Sequence, residues 1–402
     1  MSESARRTPS VSPMRRLLVL LTALAVLSTA CGDDSGSDEA DGTTTTTEAP
    51  TTTEATTTTT TAPATTTTEP EPTITAADLA EVGPYPVGVT TRELPTGNLV
   101  EIWYPAGPDA EGQTDSYAVR DFTPEIMRTL VPAETNDVVT VAAGRDASVA
   151  DDGPYPLVLF SHGSTSFRFQ STNLTHHLAS WGLVVASADH PSRALANFLG
   201  GPDDPPSSVD DVRATIELVT GDDMLGPAID ADRIGASGHS AGGGTTLGIT
   251  AEGGIAGYIS YASGASDDTA LPEVPSLFMA GGIDTIIEPT RTRAAFDRAP
   301  APSFYLEFAD SGHLAFSDLC AVGDGGANLI GLADAAGLSD FLNDNIRRLG
   351  TDGCDEPNRP VTEVWPGVHQ ASIGFWRWVF GIDAEPLGLD GAAVTGVTAD
   401  SK

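Results

Sequence analysis

A chain of 402 residues, 40% of them hydrophobic, is long enough to bury one large core. Its formal net charge of −36 repels nucleic-acid phosphates and anionic lipid headgroups, which excludes both as natural partners. The acidic balance reads as a well-solvated surface, and no cofactor or metal requirement follows from it.

The first 31 residues read as a targeting leader. Arg6, Arg7, Arg15 and Arg16 form a basic start, and Leu17 to Leu27 an apolar run too short to span a bilayer as a mature helix. Small residues Ser28, Thr29 and Ala30 precede Cys31, so the segment resembles a bacterial lipoprotein signal. The leucine usual at three before the cysteine stands four before it, at Leu27. The resemblance implies lipidation at Cys31, an exported chain and a membrane anchor; a plain secretory leader is the alternative. Residues 32–81 follow as an acidic, then Thr- and Pro-rich tract. Such a composition cannot bury enough apolar surface to offset chain entropy, so a disordered stalk is expected.

A folded domain is expected over 82–385. Val87–Leu94 and Leu99–Tyr104 predict a hairpin around Pro95-Thr96-Gly97-Asn98. Beyond Pro156, short apolar runs at Leu157–Phe160, Leu183–Ala188, Ile234–Ala236, Gly257–Tyr261, Ser276–Met279 and Phe304–Phe308 predict strands. Helix-compatible stretches at Gln170–Trp181, Asp210–Thr220 and Arg291–Arg298 lie between them, and Gln370–Phe380 predicts a last helix. Strands alternating with helices predict an α/β fold, with a mainly parallel central sheet covered by helices on both faces. Residues 386–402 read as a flexible tail.

The sharpest chemical signal is Gly238-His239-Ser240-Ala241-Gly242, directly after a predicted strand. A serine on a tight strand-to-helix turn needs small residues two positions either side, and the helix it opens stabilises developing negative charge. Gly243 and Gly244 would let that helix pack close to the sheet. Ser240 is therefore the candidate nucleophile. In this turn's usual chain order an acid and then a histidine follow. Only His313 and His369 lie beyond Ser240; His313 follows the strand ending at Phe308, whereas His369 reads as a capping or surface residue at the start of the last helix. For the acid, Asp284 stands past its strand end, with Asp267, Asp268, Glu288, Asp297 and Asp310 as rivals. The oxyanion hole should use the N–H of Ala241 and that of Ser164, in Ser161-His162-Gly163-Ser164. His162 should hold that loop by hydrogen bonding. His176 and His177 read as surface or half-buried helix residues, and no metal site is expected.

These pieces resemble the platelet-activating-factor acetylhydrolase and bacterial cutinase-like (polyester hydrolase) branch of the α/β hydrolases, over about residues 83–383. The resemblance is carried by Gly83-Pro84-Tyr85-Pro86-Val87-Gly88, Glu101-Ile102-Trp103-Tyr104-Pro105, Ser161-His162-Gly163-Ser164 and Ala188-Asp189-His190-Pro191. Arg233-Ile234-Gly235, the Ser240 pentapeptide, Asp284-Thr285-Ile286 and Gly312-His313-Leu314 extend it. It implies an α/β-hydrolase fold and a metal-independent serine esterase for short or accessible small-molecule, lipid or polymer esters; a monomer is expected. A serine peptidase of the same fold and a non-catalytic surface module are the competing readings. Of the three cysteines, Cys320 and Cys354 most simply pair in an exported domain. They bracket an insertion at about 320–360 that is either a lid at the substrate cleft or a plain surface excursion.

Overall fold

The computed structural model describes residues 74–402 apart from 124–127, 129–136, 198–200, 323–327, 336–338 and 392–393. The leader, Cys31 and most of the stalk lie outside these residues. The compact unit begins at Ile74, some way before the expected boundary, because Leu79 is already fully buried and accepts a hydrogen bond from His177 Nε2 at 2.9 Å.

A ten-stranded sheet forms the centre. Its strands are β1 (Val87–Glu93), β2 (Leu99–Pro105), β5 (Ala143–Arg145), β6 (Tyr155–Ser161), β7 (Val184–Ala188), β8 (Ile229–His239), β9 (Tyr258–Tyr261), β10 (Ser276–Gly281), β11 (Ser303–Phe308) and β12 (Val397–Ser401), in the order β12-β11-β10-β9-β8-β6-β7-β2-β1-β5. The run from β11 to β7 is entirely parallel. The predicted hairpin is present, with Glu93 opposite Leu99, and adds β2 antiparallel to β7. A separate antiparallel pair is formed by β3 (Asp115–Ala118) and β4 (Asp137–Val141).

The strand sequences explain why both faces are covered. Along β6, Leu157 and Leu159 enter one apolar cluster while Val158 and Phe160 enter another on the opposite face. This is the period of two expected where a strand has no wet side. Helices α1 (Thr172–Ser180) and α7 (Val361–Val379) supply Leu174, Leu178, Val364 and Phe375 to the face of Val158 and Phe160. Helices α2 (Ser208–Thr220), α3 (Ala241–Ala251) and α4 (Pro289–Arg298) cover the other, through Val212, Ile249 and Phe296. At one crossing Trp376 of α7 lies on Gly235, where an added Cβ would approach its ring to 2.3 Å. Beyond His313, α5 (Asn328–Ala335) and α6 (Asp344–Thr351) build the excursion closed by the Cys320–Cys354 disulfide.

Four expectations change. The last helix starts nine residues earlier than its apolar stripe suggested and runs through Pro366, so His369 sits mid-helix. There its Nε2 donates to Asn173 Oδ1 at 2.7 Å and its ring stacks on His177, so it does not cap a helix and is half-buried rather than a plain surface residue. His177 is itself buried. The tail is not free either: Leu389 is buried, and Val397–Ser401 pairs antiparallel with β11, register Phe304 to Ser401 through Phe308 to Val397. An unpaired sheet edge is costly to leave open, and this short polar strand, unremarkable in sequence, covers it.

Truncation after Thr395 removes that cover and the reciprocal bonds between Ser303 and Lys402. The expected result is a loss of about 1–3 kcal/mol of unfolding free energy, since each lost backbone bond contributes on the order of 1 kcal/mol. Urea denaturation of the truncated chain against the full chain measures it; an unchanged midpoint would make β12 a passive passenger.

Candidate active site

Ser240 lies between β8 and α3 with φ 56° and ψ −121°, a conformation L-residues rarely adopt. Its N–H donates to Tyr261 O at 2.9 Å, which ties the turn to the neighbouring strand β9. The flanking glycines are required sterically. A Cβ on Gly238 would lie 2.3 Å from Gly242 O, and one on Gly242 would lie 1.9 Å from Ser161 O. Gly243 does bring α3 against the sheet, 2.3 Å from Ser263 Oγ by the same measure. Gly244 does not: an added Cβ there meets nothing, so the expected packing role fails because the residue faces outward on the helix.

The three side chains singled out in the sequence stand in a line. Ser240 Oγ donates to His313 Nε2 at 2.9 Å, and His313 Nδ1 donates to Asp284 Oδ2 at 2.8 Å. The second oxygen of Asp284 accepts the N–H groups of Ile286 and Ile287, each at 2.8 Å. Asp284 and His313 are almost wholly buried, while Ser240 is partly exposed. Each of the three sits just past the carboxyl end of a strand: β8, β10 and β11. The rival acids are elsewhere. Asp310, Asp267 and Asp268 are exposed, Asp297 pairs with Arg293, and Glu288 stands at the N-cap of α4.

The loop after β6 packs on the serine. A Cβ on Gly163 would sit 3.3 Å from Ser240 Cβ. The Gly163 N–H is engaged, donating to Gln170 Oε1 at 2.7 Å, whereas Ser164 is exposed and its N–H has no acceptor among the described residues. Ala241 is the first residue of α3, so its N–H has no partner within the helix.

Behind this surface runs a hydrogen-bonded network that the sequence reading largely missed. Gln170 Nε2 donates to His239 Nδ1 at 2.8 Å, and His239 Nε2 donates to the carbonyl of His313 at 2.9 Å. One amide side chain thus joins the Gly163 loop to the backbone of His313. His162 acts as expected on its own loop: Nδ1 donates to Gly163 O at 2.8 Å, and Nε2 accepts the His190 N–H at 3.1 Å. His190 also bridges Ser161 Oγ at 2.9 Å and Asp211 Oδ2 at 3.0 Å. This set has the same residue types as the line through Ser240. It is sealed, however: Ser161 is 2% exposed and its Oγ also accepts from Arg193. Its work is to hold the end of β6. The Ala188-Asp189-His190-Pro191 stretch was the visible sign of it; Gln170 left none, being one polar residue at the start of an amphipathic segment. A cavity of ≈ 410 Å³ beside α1, lined in part by Asn173, His176, His177, Asp318 and His369, does not include Ser240.

Burial keeps these imidazoles neutral. It lowers His162 and His239 to about 3 and His177 to about 4, and holds His190 and His369 well below the ordinary range. Burial likewise raises Asp211 and Asp318 to about 7.

Similarity to known proteins agrees with this fold. A family model described as platelet-activating factor acetylhydrolase, isoform II, matches residues 81–205. Platelet-activating factor acetylhydrolase of Cavia porcellus is 28% identical over 132 residues, a match covering 28% of this chain and 29% of that protein. A solved structure, ferulic acid esterase from Streptomyces cinnamoneus, superposes with a TM-score of 0.55 at 21% identity, covering 78% of this chain and 96% of the other. The chain thus has the α/β-hydrolase fold and resembles the acetylhydrolase branch. The family match contains the Ser164 loop and His190 but ends before Ser240, Asp284 and His313, so the arrangement of those three rests on this chain's own geometry.

Two outcomes are expected. Gly242→Ala should abolish the turn at Ser240, whereas Gly244→Ala should fold normally and gain roughly 0.5–1 kcal/mol from helix propensity; circular dichroism and denaturant melts of both variants check it. As to pH, an imidazole whose folded pKa lies below its unfolded value near 6.5 contributes stability above that pH and loses it as pH falls toward the folded pKa. Asp211 and Asp318 act in the opposite sense, gaining stability as pH falls from about 7 toward 4, but the neutral histidines outnumber them. The urea midpoint should therefore drop between pH 7 and pH 5, and a rise would contradict buried neutral imidazoles.

Proposed function

We propose that the protein is an exported serine carboxylic ester hydrolase that forms an acyl-enzyme on Ser240. The observation that carries this reading is the continuous line from Ser240 Oγ through His313 to Asp284, with the carboxylate saturated by two backbone N–H groups on its far side. His313 Nε2 takes the serine proton as Oγ attacks the acyl carbon, and Asp284 stabilises the imidazolium through Nδ1. The carbonyl oxygen becomes an oxyanion and is received by the N–H of Ala241 at the start of α3 and that of Ser164 in the loop after β6. His313 returns the proton to the departing alcohol. Water, deprotonated by the same imidazole, then releases the acid and restores Ser240.

The substrate class follows from the relatives' names, an acetylhydrolase and a ferulic acid esterase, and from the partial exposure of Ser240: short or accessible acyl esters. Export and anchoring through Cys31 are supported by the basic and apolar leader, and by a disulfide of the kind that persists in oxidising compartments.

Chromogenic esters from acetyl to palmitoyl, run beside peptide anilides, test the reaction. Ester turnover should fall with acyl length, and peptide anilides should be inert. A fluorophosphonate should label Ser240 alone, and Ser240→Ala should abolish turnover with an unchanged melting temperature. Asp284→Asn should cost ~10⁴ in kcat, since a triad acid sets the tautomer of its histidine, while Asp310→Asn should cost little. Preferred cleavage of anilides would make the protein a peptidase; a folded wild type inert to esters, anilides and fluorophosphonate would make it a binding module.

A further inference from the structure

The disulfide-closed excursion contributes more than bulk to the site. Asp352 lies in its last turn, and its carboxylate reaches two loops at once. Oδ1 accepts the backbone N–H of His313 at 2.6 Å. Oδ2 accepts the backbone N–H of Thr285 at 3.1 Å, together with the Thr285 hydroxyl. The main-chain carbonyl of Asp352 takes the N–H of Leu314 at 2.8 Å. Thr285 directly follows Asp284, so one side chain joins the turn that carries the acid to the residue that carries the base. Arg348, one turn earlier on α6, adds a second tie by donating to Thr285 O at 2.8 Å.

The local sequence is shaped around this contact. A Cβ on Gly312 would lie 2.4 Å from Asp352 Oδ1 and 2.6 Å from Gly353 N, so only glycine admits the carboxylate. Gly353, at φ 107°, turns the chain back toward Cys354. The disulfide to Cys320 then clamps the far end of the same stretch. The stretch 313–320 is thus held at both ends, by Asp352 at His313 and by Cys354 at Cys320.

We infer that Asp352 is a positioning residue for the proposed hydrolase, fixing the backbone of His313 so that its ring meets Ser240 and Asp284 together. This rests on the reading of Ser240, His313 and Asp284 given above. The N–H of His313 is held by Asp352 and its carbonyl by His239 Nε2, so both polar groups of that residue are anchored and little freedom remains at its Cα. Asp352 touches neither substrate nor the reacting atoms. Its effect is geometric, and displacement of a catalytic group by about 1 Å can cost on the order of 10²-fold in rate.

The test uses the full chain. Asp352→Ala should lower kcat about 10²-fold with KM within about twofold, and slow fluorophosphonate labelling of Ser240 in proportion. Asp352→Asn keeps one acceptor oxygen and should recover part of the loss. Thr285→Val, which removes only the hydroxyl tie, should cost less than either. Asp355→Ala, an exposed acid of the same excursion, should match the wild type. The Cys320→Ser/Cys354→Ser pair should lose kcat in the same direction at temperatures where it remains folded. A readout independent of turnover is the low-field proton NMR signal of the His313–Asp284 hydrogen bond, identified by its absence in Asp284→Asn; it should broaden or vanish in Asp352→Ala. Wild-type kcat and an unchanged low-field proton in folded Asp352→Ala would overturn the inference and leave the hydrolase reading intact. A wild type that turns over no ester would overturn the hydrolase reading, while the low-field proton would still decide whether Asp352 positions His313.

Discussion

The backbone at Ser240 is the constraint on which the rest of the site depends. A non-glycine residue at φ 56° is strained by about 1–3 kcal/mol, and it persists only where its surroundings over-determine it. Here they do. Tyr261 O holds the serine N–H, Gly238 and Gly242 leave room for backbone to meet backbone, and Ser161 of the neighbouring strand presses on Gly242. This geometry lifts Oγ above the sheet and leaves the Ala241 N–H free at the start of α3. Without the sharp turn, the hydroxyl would point along the strand like its neighbours.

Around that turn most buried polar groups are paired, with Arg193 Nε and Ser166 Oγ as exceptions; an unpaired buried polar group costs about 1–3 kcal/mol. His162, His190 and His239 each use both ring nitrogens, and each is kept neutral by burial. The two sets of serine, histidine and aspartate show how environment assigns roles. Ser161 meets a histidine and an arginine in a sealed interior and acts as a structural link. Ser240 meets a histidine at an open edge, beside a helix N-terminus. The residue types are the same, and exposure separates them: Ser161 is buried and Ser240 is partly exposed.

Much of this was legible in the chain. The parallel run from β11 to β7 follows from apolar stretches of three to six residues alternating with amphipathic segments, and the glycine spacing around Ser240 states its own steric need. Chain order left His313 and His369, and the strand ending at Phe308 separated them. Asp284 stands apart from Asp310 because it lies past its own strand end, whereas an acid three residues from the histidine more often stabilises the loop they share. Less was legible where tertiary contacts overrode local pattern. Pro366 and the polar face of Val361–Thr362–Glu363 hid the first half of α7, and Val397–Ser401 forms a strand only because β11 offers it an edge.

The sequence by itself determined the fold class, the strand-to-helix turn at Ser240, the candidates Asp284 and His313 for the proposed acid and base, and the cysteine pair, because each is a property of spacing along one segment or of position past a strand end. Tertiary structure alone decided the roles of Gln170, His190, Asp211 and Asp352. Each joins separate segments of the chain, 21 residues apart for His190 and Asp211, 39 for Asp352 and His313, and 69 for Gln170 and His239. A hydrogen bond across such a separation leaves no periodicity behind. It exists only once the sheet has set the ends of β6, β8, β10 and β11 side by side, bringing polar side chains within 3 Å of partners that the linear order never pairs.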